Sequence, residues 1–332
     1  MNNLHNKLET PVALFIFKRP DTTSRVFETI AKAKPSDLLI VADGPRNTEE
    51  EDRCRAVREI VKKVTWDCRV RRNFAEVNMG CKTRMSSGLD WVFSEVEEAI
   101  ILEDDCVPDM SFFYYCQELL ERYRYDERVM HIGGGNYQHG IRQNADSYYF
   151  SKYPHGWGWA SWRRAWRHFD FNIKKWPELR TTDWLQTICP SKSEQKFWTD
   201  IYDRSYRGEL NAWDYQWNFA CWVHGGLSIV PEVNLVDNVG FGPDATNTVV
   251  KWNEIKEVVA GSLTSELRHP KEIRVNQKAD RYTFRKIFAP PPSLAYRLRE
   301  TLFSKYFYGR YLRKIPIIGA VWSRWRLMRR AT

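Results

Sequence analysis

Apolar runs alternate with amphipathic stretches along the first third of the chain. Val12-Ala13-Leu14-Phe15-Ile16-Phe17 is continuously apolar, the pattern of a strand buried on both faces. Lys18-Arg19-Pro20-Asp21 ends it. A helix is expected to follow through about Ala33, with Asp21 or Thr22 as its cap. Leu38-Leu39-Ile40-Val41-Ala42 predicts a second strand that stops at Asp43-Gly44-Pro45. Glu49 to Val64 has helical spacing and many charges, which predicts an exposed amphipathic helix. Asp67 to Arg72 predicts a third strand, Asn78-Met79-Gly80 a turn, and Lys82 to Ser94 a helix. Ala99-Ile100-Ile101-Leu102 is a fourth strand, and it empties into Glu103-Asp104-Asp105. Pro108 is expected to keep that strand from continuing. The alternation predicts an α/β fold, a mostly parallel sheet flanked by helices.

Beyond Ser111 a helix is expected to about Tyr125, and past Val129 the pattern loosens. Gly133 to Asp170 is rich in Gly, Tyr, Trp and His. Trp176 to Trp222 reads as helical in parts, and Leu227-Ser228-Ile229-Val230 as a late strand. No repeat or low-complexity linker interrupts the chain, and Pro290-Pro291-Pro292 marks its clearest boundary.

Composition changes this picture in three places. Fifteen Trp, 16 Tyr and 17 Phe in 332 residues supply either a large aromatic core or faces for sugar rings and bases. Seven Cys without a C-x-x-C pair favour reduced thiols over a disulfide framework or zinc site. The polar start, Met1 to Thr10, predicts no signal peptide, and no apolar run is long enough for a spanning helix. The net charge of +9 is carried entirely by the residues from Arg297 onward. There Arg and Lys mix with aromatics around Ile315 to Trp322, a pattern suited to an anionic membrane surface. Nucleic acid is the weaker expectation, because the neutral body offers no extended basic groove.

The acidic run carries the sharpest chemistry. Three adjacent carboxylates at a strand's carboxyl end stand where ligands bind in α/β sheets. Their mutual repulsion calls for a cation, and hard oxygen ligands suit Mg²⁺ or Mn²⁺, which complete their shell with substrate phosphates. A divalent ion clamping a diphosphate is therefore expected; a solvated acidic turn is the alternative.

Four features in order, Arg19-Pro20, Asp43-Gly44, Asn78-x-Gly80 and Glu103-Asp104-Asp105, resemble the GT-A nucleotide-diphospho-sugar glycosyltransferases. The likeness is to family 2-like enzymes and N-acetylglucosaminyltransferase I, over about residues 11 to 250. It implies a GT-A (Rossmann-like) body with residues 1–130 as the nucleotide-sugar half and 131–289 as the acceptor half. Residues 290–332 follow as a basic, helical, membrane-associating tail. It also implies site roles. Asp43 accepts from the nucleotide base, and Arg19 lies near the nucleotide or its phosphates. Asn78 and Gly80 shape the base and ribose loop, and Lys82 or Arg84 approaches the diphosphate. Asp105 binds the metal with Glu103 beside it, and Asp104 meets the ribose or a metal-bound water. A carboxylate in the late segment is the base of an inverting reaction, and Asp214 in its aromatic setting is the candidate. His155, Trp157, Trp159 and Trp213 are expected around the sugar or acceptor, with core packing as the alternative. Asn238 to Thr248 resembles the loop that closes over the diphosphate. Asn247 stands where relatives carry a metal-binding His, and His224 is the fallback ligand.

The implied activity is transfer of a sugar from a UDP-sugar to a hydroxyl of a glycan or lipid-linked glycan, at the cytoplasmic membrane face. Two rivals remain, a sugar-1-phosphate nucleotidyltransferase and a non-catalytic nucleotide-sugar-binding protein. The first is opposed by the absence of glycine in Phe17-Lys18-Arg19-Pro20, and the second by the intact Asp43, Asp104, Asp105 and Asp214.

Overall fold

The computed structural model describes residues 8–143, 145–241, 260–263 and 266–289. The Asn247 position, most of the 238–248 loop and the basic tail lie outside them. The strands are β1 Val12–Ile16, β2 Asp37–Ala42, β3 Arg69–Phe74, β4 Glu98–Glu103 and β5 Cys106–Pro108. They continue with β6 Val129–Gly133, β7 Tyr148–Ser151, β8 Trp159–Trp162, β9 Leu227–Pro231 and β10 Val236–Asn238. Between them lie α1 Pro20–Ala33, α2 Thr48–Ile60, α3 Cys81–Glu95, α4 Met110–Arg122 and the short α5 Arg163–Trp166. Then come α6 Trp176–Leu179, α7 Trp184–Ile188, α8 Lys192–Tyr206, α9 Asp214–Val223 and α10 Gln277–Thr283.

Eight strands form one sheet in the order β3-β2-β1-β4-β8-β6-β9-β7. β3, β2, β1 and β4 run parallel, as do β6 and β9; β8 and β7 are inserted antiparallel. The mostly parallel α/β architecture read from the sequence is thus the fold. All five β1 residues are buried, which explains the unbroken apolar run. α1 turns Val26, Phe27, Ile30 and Ala33 onto the sheet at helical spacing. β3 sits at the sheet edge. Its Arg69 and Arg71 pair with Asp37 of β2, the charge that keeps an edge from pairing further.

Three expectations need correction. α1 has Pro20 in its first turn and no side-chain cap, so neither Asp21 nor Thr22 caps it. The third strand begins two residues later than expected and includes Asn73 and Phe74. Pro108 does not end strand pairing. The chain turns at Asp104-Asp105 and re-enters as β5, whose antiparallel partner is β10. Proline is tolerated in such a short two-stranded ribbon. The loosened region past Val129 holds β6, β7 and β8, all buried.

Register brings the site together. β1 pairs with β2 up to Ile16 against Ala42, and with β4 up to Phe15 against Glu103. Phe17 to Arg19, Asp43 and Glu103 to Asp105 therefore leave the same edge of the sheet. None of the seven cysteines forms a disulfide. Among the described residues no helix is long and apolar enough to cross a membrane.

Candidate functional site

The β1–α1 turn lies against the β4–β5 turn through one cation. Arg19 donates from one guanidinium nitrogen to Asp104 and, at 2.9 Å, to Asp105. Asp104 is buried, and its other oxygen accepts the Phe17 backbone N–H at 3.0 Å. Burial works against the Arg19 charge, but the charges of Asp104 and Asp105 overcome it and raise its pKa further. Burial also raises Asp104, and Arg19 opposes it. The half-buried Glu103 is pushed well above the usual carboxylate range by burial, then by the charges of Asp105 and Asp104. The charge of Asp214, the first residue of α9, adds a smaller push in the same direction.

Asp214 keeps a solvent-exposed surface, yet burial among the surrounding protein raises its pKa. Backbone N–H groups of Asp214 and Tyr215 oppose the rise.

β10 carries a third segment to the acids. Val239 N–H donates to the Asp105 carbonyl at 2.8 Å. Gly240 follows, and a Cβ there would lie 2.0 Å from Asp105 Oδ2 and 2.8 Å from Arg19 Nη1. Any side chain here would have to displace the tip of Asp105 or of Arg19. Phe241 then meets the half-buried Trp157 edge to face at 5.6 Å.

Asp43 organises the neighbouring loop. Its carboxylate accepts from the backbone N–H groups of Gly44, Met79 and Gly80 at 2.8, 2.8 and 3.2 Å. Asn78 Nδ2 donates to it at 3.0 Å. These four donors match the acceptor capacity of a carboxylate, so in this structure Asp43 holds the loop rather than offering a free oxygen to a base. Gly44 lets the loop close, since a Cβ there would lie 2.4 Å from the Val77 carbonyl carbon. Arg84 is buried. It donates to the Ala42 carbonyl at 3.1 Å, to the Asn73 carbonyl and to Asn73 Oδ1 at 2.9 Å, and so ties α3 to β2 and β3.

Lys82, in the first turn of α3, is buried, and burial lowers its pKa. Its ammonium lies 4.0 Å from the centre of the Phe171 ring. With its amide oriented to satisfy its surroundings, Gln216 of α9 accepts from Lys82 Nζ at 3.1 Å and donates to the Ala212 carbonyl at 2.7 Å.

Of the aromatic candidates, Trp157 is the half-buried one, and its ring meets Phe241, the residue after Gly240. Trp159 has no exposed surface. It stacks on His131 at 5.0 Å and on Trp213 at 5.4 Å, within a cluster that includes Trp166 and Trp217. Trp159 and Trp213 are therefore core residues. His155 is buried between Tyr137 and Phe288, and burial pushes its pKa down to about 3. His224 stacks on His168 at 3.9 Å at the far end of α9.

Sequence reasoning missed a second charge cluster beside Phe17. Lys18 Nζ meets Glu50 at 2.6 Å, and Arg46 Nε donates to both Glu50 oxygens. Arg46, then burial working the other way, then Lys18 leave Glu50 at about 2. The adjacency of Lys18 to Arg19 was the available signal; Glu50 looked like one of many helix charges.

The donor set is compatible with a divalent cation but does not enclose one. Among the described residues no group of three His, Cys, Asp or Glu is placed to hold a metal. Asp104 is occupied by Arg19 and Phe17. Asp105 retains unused oxygen lone pairs and partial exposure, and Mg²⁺ or Mn²⁺ commonly rests on one or two carboxylates plus phosphates and water. The crowding that raises Glu103 is the kind a cation relieves.

No protein-family model and no curated relative matches the sequence. Solved structures resemble the chain distantly. The 4-diphosphocytidyl-2C-methyl-D-erythritol synthase of Anaerococcus prevotii is 9% identical, with a TM-score of 0.35, over 76% of this chain and 97% of its own. Mouse xyloside xylosyltransferase 1 is 10% identical, TM-score 0.32, over 64% and 81%. A UDP-glucose pyrophosphorylase complexed with UDP-glucose is 12% identical, TM-score 0.25, over 45% and 64%. At such scores the chemistry of this chain has to be read from its own cleft.

Proposed function

We propose that this chain is a glycosyltransferase of the GT-A type, moving a sugar from a nucleoside diphosphate, UDP by resemblance, to a hydroxyl of a glycan or lipid-linked glycan. The observation that carries the reading is the cluster of Arg19 with Asp104 and Asp105 where β1 and β4 end, with Glu103 beside it sensing the charge of Asp214. Asp214 accepts the proton of the acceptor hydroxyl. That oxygen bonds to the anomeric carbon as the carbon–oxygen bond to the diphosphate breaks. A raised pKa suits a base that must hold the proton it takes. Arg19, fixed by two carboxylates, offers its remaining N–H groups to the leaving diphosphate. Asp105, with Glu103 beside it, would hold a Mg²⁺ or Mn²⁺ ion, which supplies charge neutralisation at the diphosphate.

Two features weigh against the rivals. The β1–α1 connection is only Phe17 to Arg19 and has no glycine-rich backbone cradle for a nucleotidyl phosphate. The Arg19–Asp104–Asp105 arrangement is complete, which a degenerate binding protein has no need to keep.

The test is release of UDP from a panel of UDP-sugars with Mn²⁺. Asp105→Ala should lower it by about 100-fold or more; retained activity would remove the reading. The basic residues after Pro292 are proposed to hold the enzyme at an anionic membrane. Their deletion should abolish sedimentation with phosphatidylserine vesicles and leave UDP binding intact, and unchanged sedimentation refutes the anchor.

A further inference from the structure

Three cationic side chains are buried in the described residues: Lys82, Arg84 and Lys152. Lys152 is paired with Glu194 at 2.6 Å. Arg84 is spent on backbone and side-chain oxygens and feels the charge of Asp43. Lys82 has no carboxylate partner among the described residues. Its neighbours are one amide oxygen, of Gln216, and one ring face, of Phe171. A buried ammonium left uncompensated is costly, and a bound anion removes that cost.

The surroundings favour an anion too. α3 begins at Gly80 without a cap bond from its own side chain and has no acidic residue in its first turn; the Asp43 carboxylate takes the Gly80 N–H, one residue before the helix. The Lys82 N–H itself is taken by Asn211 Oδ1 at 3.1 Å. Asn211, Phe171 and Gln216 all belong to the second half of the chain, and Gln216 stands two residues past Asp214.

Resting on the transferase reading above, we infer that Lys82 binds an anionic group of the acceptor, so that the enzyme glycosylates an acidic sugar bearing a carboxylate or phosphate ester. The donor diphosphate has its own cation in Arg19, which is paired with Asp104 and Asp105. Lys82 instead touches the first turn of the helix that carries the base. An acid group seated there orients the acceptor hydroxyl toward Asp214.

The experiment measures binding of glucuronate, glucose 6-phosphate and glucose to the full-length protein saturated with UDP and Mn²⁺. The two anionic sugars should bind about tenfold more tightly than glucose or better. Lys82→Gln should erase that difference, Lys82→Arg should keep most of it, and UDP affinity should stay within about twofold in both. Equal binding of glucose and glucuronate by the wild type overturns the proposal without any variant. So does a loss of UDP affinity in Lys82→Gln with the anionic preference intact, which would assign Lys82 to the donor. Failure of the wild type to bind UDP at all removes the transferase reading itself, a distinct result.

Discussion

The acidic turn and the tryptophan segment were equally conspicuous in the sequence, and the fold treats them in opposite ways. Glu103 and Asp105 stay half-buried at the carboxyl end of β4, with Asp105 tied to Arg19. Trp159, in His155 to Trp162, disappears into a cluster with His131, Trp166, Trp213 and Trp217. The difference is one of physical constraint. Adjacent carboxylates cannot enter a core without cations to meet them, so their position at a strand end locates a cleft. An indole is at home in a core or against a sugar, so its presence alone locates nothing. Among the indoles of that segment, Trp157 is the half-buried one, and it meets Phe241, which follows Gly240 in the chain.

This contrast predicts that charge changes cost activity and indole changes cost stability. The largest effect is expected at Asp214. Asp214→Asn should lower kcat by about 10²- to 10⁴-fold, with the melting temperature and UDP affinity unchanged. A loss of stability in place of catalysis would make Asp214 a helix-terminus residue and nothing more. Trp159→Ala is expected to do the reverse. Removing a fully buried indole should destabilise the fold by about 3–5 kcal/mol, measured by urea unfolding. If instead Trp159→Ala left stability intact and weakened sugar binding, the core assignment would be wrong.

The fold was legible where periodicity is strong. β1, β2, β4 and the helices between them follow their apolar runs within a residue or two at most ends, because strands buried on both faces leave no choice of register. The region past Val129 was not legible. β6, β7 and β8 are four or five residues each and rich in aromatic residues and glycine, and their pairing is with strands far away in sequence. The site was half legible. Arg19, Asp104 and Asp105 are brought together as their strand ends implied. The partners of Asp43 and Arg84 could not be read from spacing. Asp43 is filled by a loop 35 residues away, and Arg84 by carbonyls of β2 and β3. The stack of Trp159 on Trp213 depends on a contact across more than fifty residues, which no local pattern encodes.

Gly240 sharpens the contrast from the other side, as an uncharged residue whose value lies in the charges beside it. Gly240→Ala places a methyl where Asp105 Oδ2 now lies. The acid or the loop must give way, and a displacement of that size costs activity by about 10- to 100-fold. Stability should change by about 1 kcal/mol at most, since the segment is at the cleft edge. Wild-type turnover in this variant would show that Asp105 does not need its observed position.

The aromatic region also sets a pH dependence, and its sign follows from the two buried histidines. Burial pushes His131 and His155 down to about 3, from an ordinary 6.5. His131 Nδ1 accepts the Trp217 indole N–H at 3.2 Å, so Nε2 carries the proton and donates to the His155 carbonyl. Unfolding exposes both rings to protonation. Their stabilising effect is therefore complete above pH 6.5 and is lost progressively as pH falls toward 3. Between pH 7 and pH 5 each histidine should cost about 2 kcal/mol. Asp280 works in the opposite direction. Burial raises it to about 6, against Ser151 and Lys152, so the folded state takes up its proton first and gains on acidification. The raised carboxyls Asp104, Glu103 and Asp214 act in the same direction as Asp280, so the wild-type curve is a balance, but the histidine share can be isolated. The His155 ring packs against Tyr137 and Phe288, so His155→Phe keeps an aromatic ring there and removes the titration. Its unfolding free energy should fall between pH 7 and pH 5 by about 2 kcal/mol less than the wild type does. Parallel curves for the two proteins would mean that His155 is protonated within the fold, and would open the aromatic region to solvent in a way its packing does not allow.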